Sequence, residues 1–204
     1  MRVYLDNNAT TSLHPKVKEA LRDSLDLYGN PSSHHGYGRE AREPIEKARA
    51  SVAAIIGAKA DNIIFTSGGS EANNLVLKGM VCRHVGCHPD RKKPGRHIIT
   101  TAIEHPSVLE TCRCLSSFDL DVSYVPVDKN GRVSVEDVEK AIRDETTLIS
   151  IMYANNEVGT IQPIREIGEL AKKHGIPFHT DAVQVVGKIP VNVEELGVSY
   201  LSLS

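Results

Sequence analysis

From residue 62 onward, short apolar runs alternate with longer amphipathic stretches, and that alternation leaves few folds open. The runs at 62–66, 96–101, 121–127, 147–152, 176–180 and 198–204 are rich in Ile, Val, Leu and Thr and predict strands. The stretches at 70–81, 106–115, 135–143 and 163–174 carry apolar residues at helical spacing. Strands separated by helices predict a mostly parallel sheet with helices on both faces, an α/β chain in three layers, α/β/α. Two helices are expected before this core. One covers 15–28, with Pro15 at its start and Gly29 past its end. The other covers 39–56 and ends at Gly57, with Pro44 shifting its start. The sequence shows no internal repeat, low-complexity tract or linker. The last run alternates apolar and polar residues and reaches Ser204 with no turn or cap behind it, which predicts the front part of a longer protein.

Charge narrows the function. Lys and Arg number 24 against 26 Asp and Glu, interspersed, for a net charge of −2. That balance predicts neither a nucleic-acid footprint nor a polybasic membrane patch. No stretch approaches the roughly 18 apolar residues of a membrane span, and no signal-peptide core opens the chain, so a cytoplasmic protein is expected. Four cysteines, at 82, 87, 112 and 114, are too few for a disulfide scaffold. Cys82, His84, Cys87 and His88 fit no common zinc spacing and read as a polar loop, so no metal site is predicted. Cys112 and Cys114, two apart on one helix, do not share a face.

Four polar constellations fall at expected strand ends, where open α/β sheets bind ligands. Thr66-Ser67-Gly68-Gly69-Ser70-Glu71 runs from a strand into a helix, and small residues there let backbone N–H groups approach an anion. The same residues also read as an ordinary turn with Ser70 as N-cap. Glu104-His105-Pro106-Ser107 offers an imidazole for stacking or proton transfer, or a histidine bonded to backbone at a helix start. Asn155-Asn156-Glu157 offers two amides to orient a ligand oxygen, or an Asn-rich turn. Asp181 closes an apolar strand, where an ionised carboxylate is costly without a partner. A cationic ring nitrogen is one such partner, and Gln184 three residues on can point the same way. The alternative is a surface Asp capping a turn.

Taken in order, with Leu5-Asp6-Asn7-Asn8-Ala9-Thr10-Thr11 and Gly29-Asn30-Pro31-Ser32-Ser33 ahead of them, these motifs resemble the cysteine desulfurases of the class V aminotransferase group. Those enzymes use pyridoxal 5′-phosphate on the fold-type-I scaffold, and the resemblance spans the whole chain. It implies that Gly69, Ser70 and Ser204 contact the cofactor phosphate, that His105 stacks on the ring with a catalytic role, and that Asp181 pairs with the ring nitrogen. It also implies that Asn156 and Gln184 contact the ring-hydroxyl side. Gly69-Ser70 stands where the family commonly has Ala-Thr, which keeps one hydroxyl. By the same resemblance, residues 1–15 belong to a small domain at the active-site edge. Residues 16–204 belong to the cofactor-binding large domain, stopping before the Schiff-base lysine. None of the four cysteines matches the family's catalytic cysteine. The implied reaction takes L-cysteine to L-alanine and passes sulfur as a persulfide to an acceptor or scaffold protein, for iron–sulfur cluster or thio-cofactor assembly, in a homodimer. A selenocysteine lyase, another class V activity, and a shortened non-catalytic binding module are the competing readings.

Overall fold

The computed structural model describes residues 1–81 and 96–204, which fall into two compact units, Met1–Ile64 and Phe65–Ser204. The loop expected at Cys82, His84, Cys87 and His88 lies outside the described residues. Among those described, no helix is long and apolar enough to cross a membrane.

The first unit is two helices and a single 3-10 turn. Helix α1, Pro15–Ser24, has its proline at the first position and His14 as N-cap. It stops short of the expected end at residue 28, and the Ser24 hydroxyl donates to the Leu21 carbonyl at 2.8 Å. Helix α2, Gly36–Ile56, starts earlier than expected and runs through Pro44. His35 caps it, its Nδ1 accepting from the Gly38 N–H at 3.3 Å, and Gly57 closes it in the left-handed conformation at φ +67°. The strand expected at 62–66 does not form. Residues 60–62 make the 3-10 turn, and the Ile63 carbonyl accepts from the Arg49 guanidinium instead of a neighbouring strand. Ile64 is left 72% exposed.

The second unit is the expected parallel α/β core. Its elements run α3 Gly69–Val81, β1 His97–Thr101, α4 Pro106–Ser116, β2 Asp121–Val125, α5 Val135–Ala141, β3 Thr146–Ser150, α6 Ile164–Lys173, β4 Phe178–Asp181, α7 Val193–Leu196 and β5 Tyr200–Ser202. The five strands pair in the order β2-β1-β3-β4-β5, all parallel. From β1 the chain steps one way to β2, then the other way through β3, β4 and β5. Right-handed crossovers therefore place α4 on one face and α5, α6 and α7 on the other. Helix α3 packs on α4, and α6 packs on both α5 and α7. Helix α7 is one turn long, capped by the Asn192 carboxamide, and escapes prediction because four residues show no helical period. It sits hard against α6, where a Cβ on Gly168 would lie 2.0 Å from the Leu196 carbonyl oxygen.

Burial follows the pleat. Leu77, Met80, Ile98, Val108, Cys112, Leu120 and Leu148 form one core between the sheet and α3–α4. Ile99 and Ile149, next along their strands, point to the opposite face and are fully buried. Cys112 lies in this core, and burial, with Glu104 as a lesser cause, pushes its thiol up to about 12; Cys114 is exposed. Two buried imidazoles cross-link the sheet. His97 sits 2.9 Å from Thr146 Oγ1 and 2.8 Å from Ser123 Oγ, joining β3, β1 and β2. His179 sits 2.9 Å from Ser150 Oγ and 3.0 Å from Ser202 Oγ, joining β3, β4 and β5. Burial pushes the His179 ring down to about 3 and lowers His97 as well, so both are neutral links.

Candidate functional site

The winding of the sheet reverses between β1 and β3, and such switch points open a crevice beyond the carboxyl ends of the strands. The loops leaving β1 and β3 are stitched together there. Glu104, 4% exposed, accepts from the Thr101 hydroxyl at 2.6 Å and takes the Met152 backbone N–H on both oxygens, at 3.0 and 3.1 Å. Burial pushes this carboxyl up to about 8. The Thr101 and Met152 donors pull the other way, and the Asp181 charge adds to the rise. Asn155 completes the seam, its amide donating to the Ile103 carbonyl at 3.0 Å while its oxygen accepts from the Glu157 and Val158 N–H groups.

Asp181 ends β4 and is 7% exposed. Its Oδ1 accepts the Val183 N–H at 3.0 Å and its Oδ2 accepts from Asn73 Nδ2 at 2.7 Å. A carboxylate accepts only, so this contact fixes which way the Asn73 amide points. The same Nδ2 donates to Ser107 Oγ at 2.9 Å, and Ser107 Oγ lies 2.8 Å from His105 Nδ1. Asn73 is 1% exposed, and its oxygen, aimed the other way, has no hydrogen-bond partner among the described residues. An orphaned acceptor of this kind costs about 1–3 kcal/mol. His105 is the N-cap of α4, accepting the Ser107 N–H on Nδ1 at 3.1 Å. A backbone N–H can only donate, so the neutral ring carries its proton on Nε2. The ring itself is exposed.

Helix α3 starts beside this carboxylate. A Cβ on Gly69 would lie 2.8 Å from Val183 Cγ2 and 3.8 Å from Ser204 Cβ, so the helix start abuts the loops after β4 and β5. Ser70 is exposed inside the helix, one residue past its start, and is not the cap. Glu71 takes the Ser67 N–H at 2.6 Å, and hydrogen bonds from Ser67 hold its carboxyl below the usual range. Gly69, Ser204, Asp181 and His105 thus belong to one contiguous set. Asn156 and Gln184 are half-buried: Asn156 donates to Glu157 at 2.8 Å, and Gln184 accepts from Lys188 at 2.7 Å. Asn73 and Glu104 are the functional-looking groups that residue-type reasoning did not assign a role. Asn73 follows Gly69 by one helical turn, which is the signal that was present.

A helix start, a buried carboxylate and an exposed imidazole thus gather at the carboxyl end of a parallel α/β sheet. The profile described as "Aminotransferase class-V" matches residues 3–204, and the chain belongs to that family. It is 52% identical over 203 residues to "Cysteine desulfurase IscS" of Dictyoglomus turgidum, covering 99% of this chain and 50% of that protein. It is 50% identical over 204 residues to "Putative cysteine desulfurase IscS 1" of Bacillus subtilis, covering 100% and 52%. Among solved structures, "NIFS-LIKE PROTEIN" superposes with a TM-score of 0.90 at 46% identity, covering 100% of this chain and 55% of that one. "SspA in complex with cysteine" superposes at 0.91 with 40% identity, covering 98% and 56%. The parallel sheet is the fold-type-I architecture of these relatives. The chain spans about half the length of the curated relatives it matches.

Proposed function

We propose that the protein carrying this chain is a pyridoxal 5′-phosphate-dependent cysteine desulfurase, and that this chain supplies its cofactor-binding half. In this reading residues 1–15 form the edge of a small domain and 16–204 the large domain. The observation that carries it is Asp181, buried and held by two N–H donors, with Val183, two residues on, lying against the Gly69 start of α3. The start of α3 at Gly69 and Ser70 and the oriented Asp181 carboxylate also fit a group with an anionic arm and a cationic ring nitrogen.

Bound in such a site, the pyridoxal group supplies an electron sink for carbanion chemistry at the substrate's α-carbon. The chain's own residues prepare for it. Asp181 offers an oriented negative charge that favours a protonated ring nitrogen. Gly69, Ser70 and Ser204 take the phosphate at the positive end of α3. His105 would lie against the ring with Nε2–H as its donor, and Asn156 and Gln184 would hold the ring-hydroxyl side. Sulfur moves from L-cysteine to a protein thiol, giving L-alanine and a persulfide with no outside oxidant or reductant. The persulfide then passes to an acceptor protein serving iron–sulfur or thio-cofactor assembly. Homodimerisation and a cytoplasmic setting complete the reading.

The test is made on the full-length protein. Added pyridoxal phosphate is expected to give a visible absorbance band, and cysteine with a reductant is expected to give alanine and sulfide in equal amounts. Asp181→Ala is expected to cut turnover far more than cofactor retention. An Asp181→Ala protein with full desulfuration activity would overturn the assignment.

A further inference from the structure

We infer that Asn73 is a positioning residue that ties the two halves of the ring site together, the carboxylate of Asp181 and the imidazole of His105. The inference rests on the cofactor reading above and extends it to a residue that never touches the reacting atoms.

Asn73 belongs to α3, Asp181 to the end of β4, and His105 to the start of α4. Sequence separations of 108 to Asp181 and 34 to Ser107 divide these groups, yet one carboxamide nitrogen reaches both sides. Its direction is forced. Asp181 accepts only, so Asn73 donates to it. The second Asn73 N–H donates to Ser107 Oγ, which uses an oxygen lone pair and leaves the Ser107 hydroxyl proton to face His105 Nδ1. The Ser107 backbone N–H arrives at the same nitrogen. All donors run one way, from Asn73 outward, to the carboxylate on one arm and through Ser107 to the imidazole on the other. His105 is thereby held as the Nε2–H form, a donor toward the ligand side. Asp181 has one oxygen fixed by Asn73 and the other by Val183, so the carboxylate plane cannot turn.

The bland explanation is that Asn73 merely fills a polar gap between helices. The geometry argues against it. A gap-filling amide at 1% exposure would satisfy its own oxygen, whereas Asn73 leaves Oδ1 unpartnered while spending its nitrogen on two groups of the ring site. Asn74, the neighbour in sequence, serves the helix contact: its Oδ1 accepts from Thr111 and its amide donates to the Ser70 and Ser107 carbonyls.

The experiment uses the full-length protein with 15N-labelled histidine, first without added cofactor. In Asn73→Leu and in Ser107→Ala, the His105 ring nitrogen signals are expected to move, and the double variant is expected to move them no further than Ser107→Ala alone. Thr111→Val, which removes a hydroxyl between the same two helices, is expected to leave them in place. With pyridoxal phosphate loaded, Asn73→Leu is expected to weaken binding about tenfold and to displace the pH at which the cofactor absorbance band changes; Ser107→Ala is expected to leave that pH nearer the parent value. Unchanged His105 signals and an unchanged absorbance profile in Asn73→Leu would overturn the inference. Failure of the parent protein to take up the cofactor would instead sink the cofactor reading, with the histidine signals still deciding the role of Asn73.

Discussion

Glu104 holds the Met152 backbone N–H on both of its carboxyl oxygens, at 3.0 and 3.1 Å, and so joins the two loops that part company at the switch point of the sheet. Removing this clamp leaves the Met152 N–H and the Thr101 hydroxyl buried without an acceptor. Glu104→Ala is expected to cost about 2–4 kcal/mol in chemical unfolding. Glu104→Gln keeps an acceptor and the volume, and near pH 4.5 is expected to cost about 1 kcal/mol or less.

The same carboxyl gives a pH signature. Its folded value, about 8, is above its ordinary value of 4.5, so the folded protein holds an extra proton between the two. That contribution is complete below 4.5 and is lost as pH rises through 8. The stability of the parent relative to Glu104→Gln is therefore expected to fall across this window, by at most about 1.4 kcal/mol per pH unit. A flat difference from pH 5 to 8 would contradict the buried, protonated state.

His179 has the opposite sign. Burial pushes it from 6.5 to about 3, so the unfolded chain takes up the proton first as pH falls. The stabilising effect of a neutral His179 is present above 6.5 and is lost toward 3. His179→Asn is expected to destabilise the protein at pH 7, and the gap to the parent is expected to narrow as the unfolding midpoint is followed down to pH 4.

Gly69 is held to its size by Val183. A Cβ on Gly69 would come within 2.8 Å of Val183 Cγ2, so one of the two must shift. Gly69→Ala is expected to weaken pyridoxal phosphate binding by about 1 kcal/mol, and Val183→Ala in the same chain is expected to restore most of it. A double-mutant cycle with no coupling would show that the two side chains do not meet.

Thiol reactivity is expected to separate Cys112 from Cys114. The buried thiol, pushed up to about 12, carries almost no thiolate at neutral pH, whereas its neighbour two residues on is exposed. Alkylation followed by peptide mass analysis should mark Cys114 in the folded protein and Cys112 only after unfolding.

The sheet was legible because its strands are short β-branched runs with helices between them, a pattern with one economical solution. What periodicity cannot supply is the neighbour. Residues 62–66 have strand composition, but membership of a ladder depends on a partner, and Arg49 takes the Ile63 carbonyl instead. Helix α1 keeps its apolar stripe at Leu25 and Leu27, yet ends at Ser24. In the site, Asp181 and His105 stood out because a charge or an imidazole at a strand end demands an explanation. Asn73 did not, since an amide on a helix has many uses and this one is set by a residue 108 positions away.

The two imidazole cross-links have a mechanical consequence. Both terminate on β3, His97 at Thr146 and His179 at Ser150, so each half of the sheet is riveted to the same central plank. Shear between β1 and β3, or between β3 and β4, would break a buried link on top of the ladder. Flexing within this unit is therefore expected in the connecting loops, while the five-stranded floor stays still.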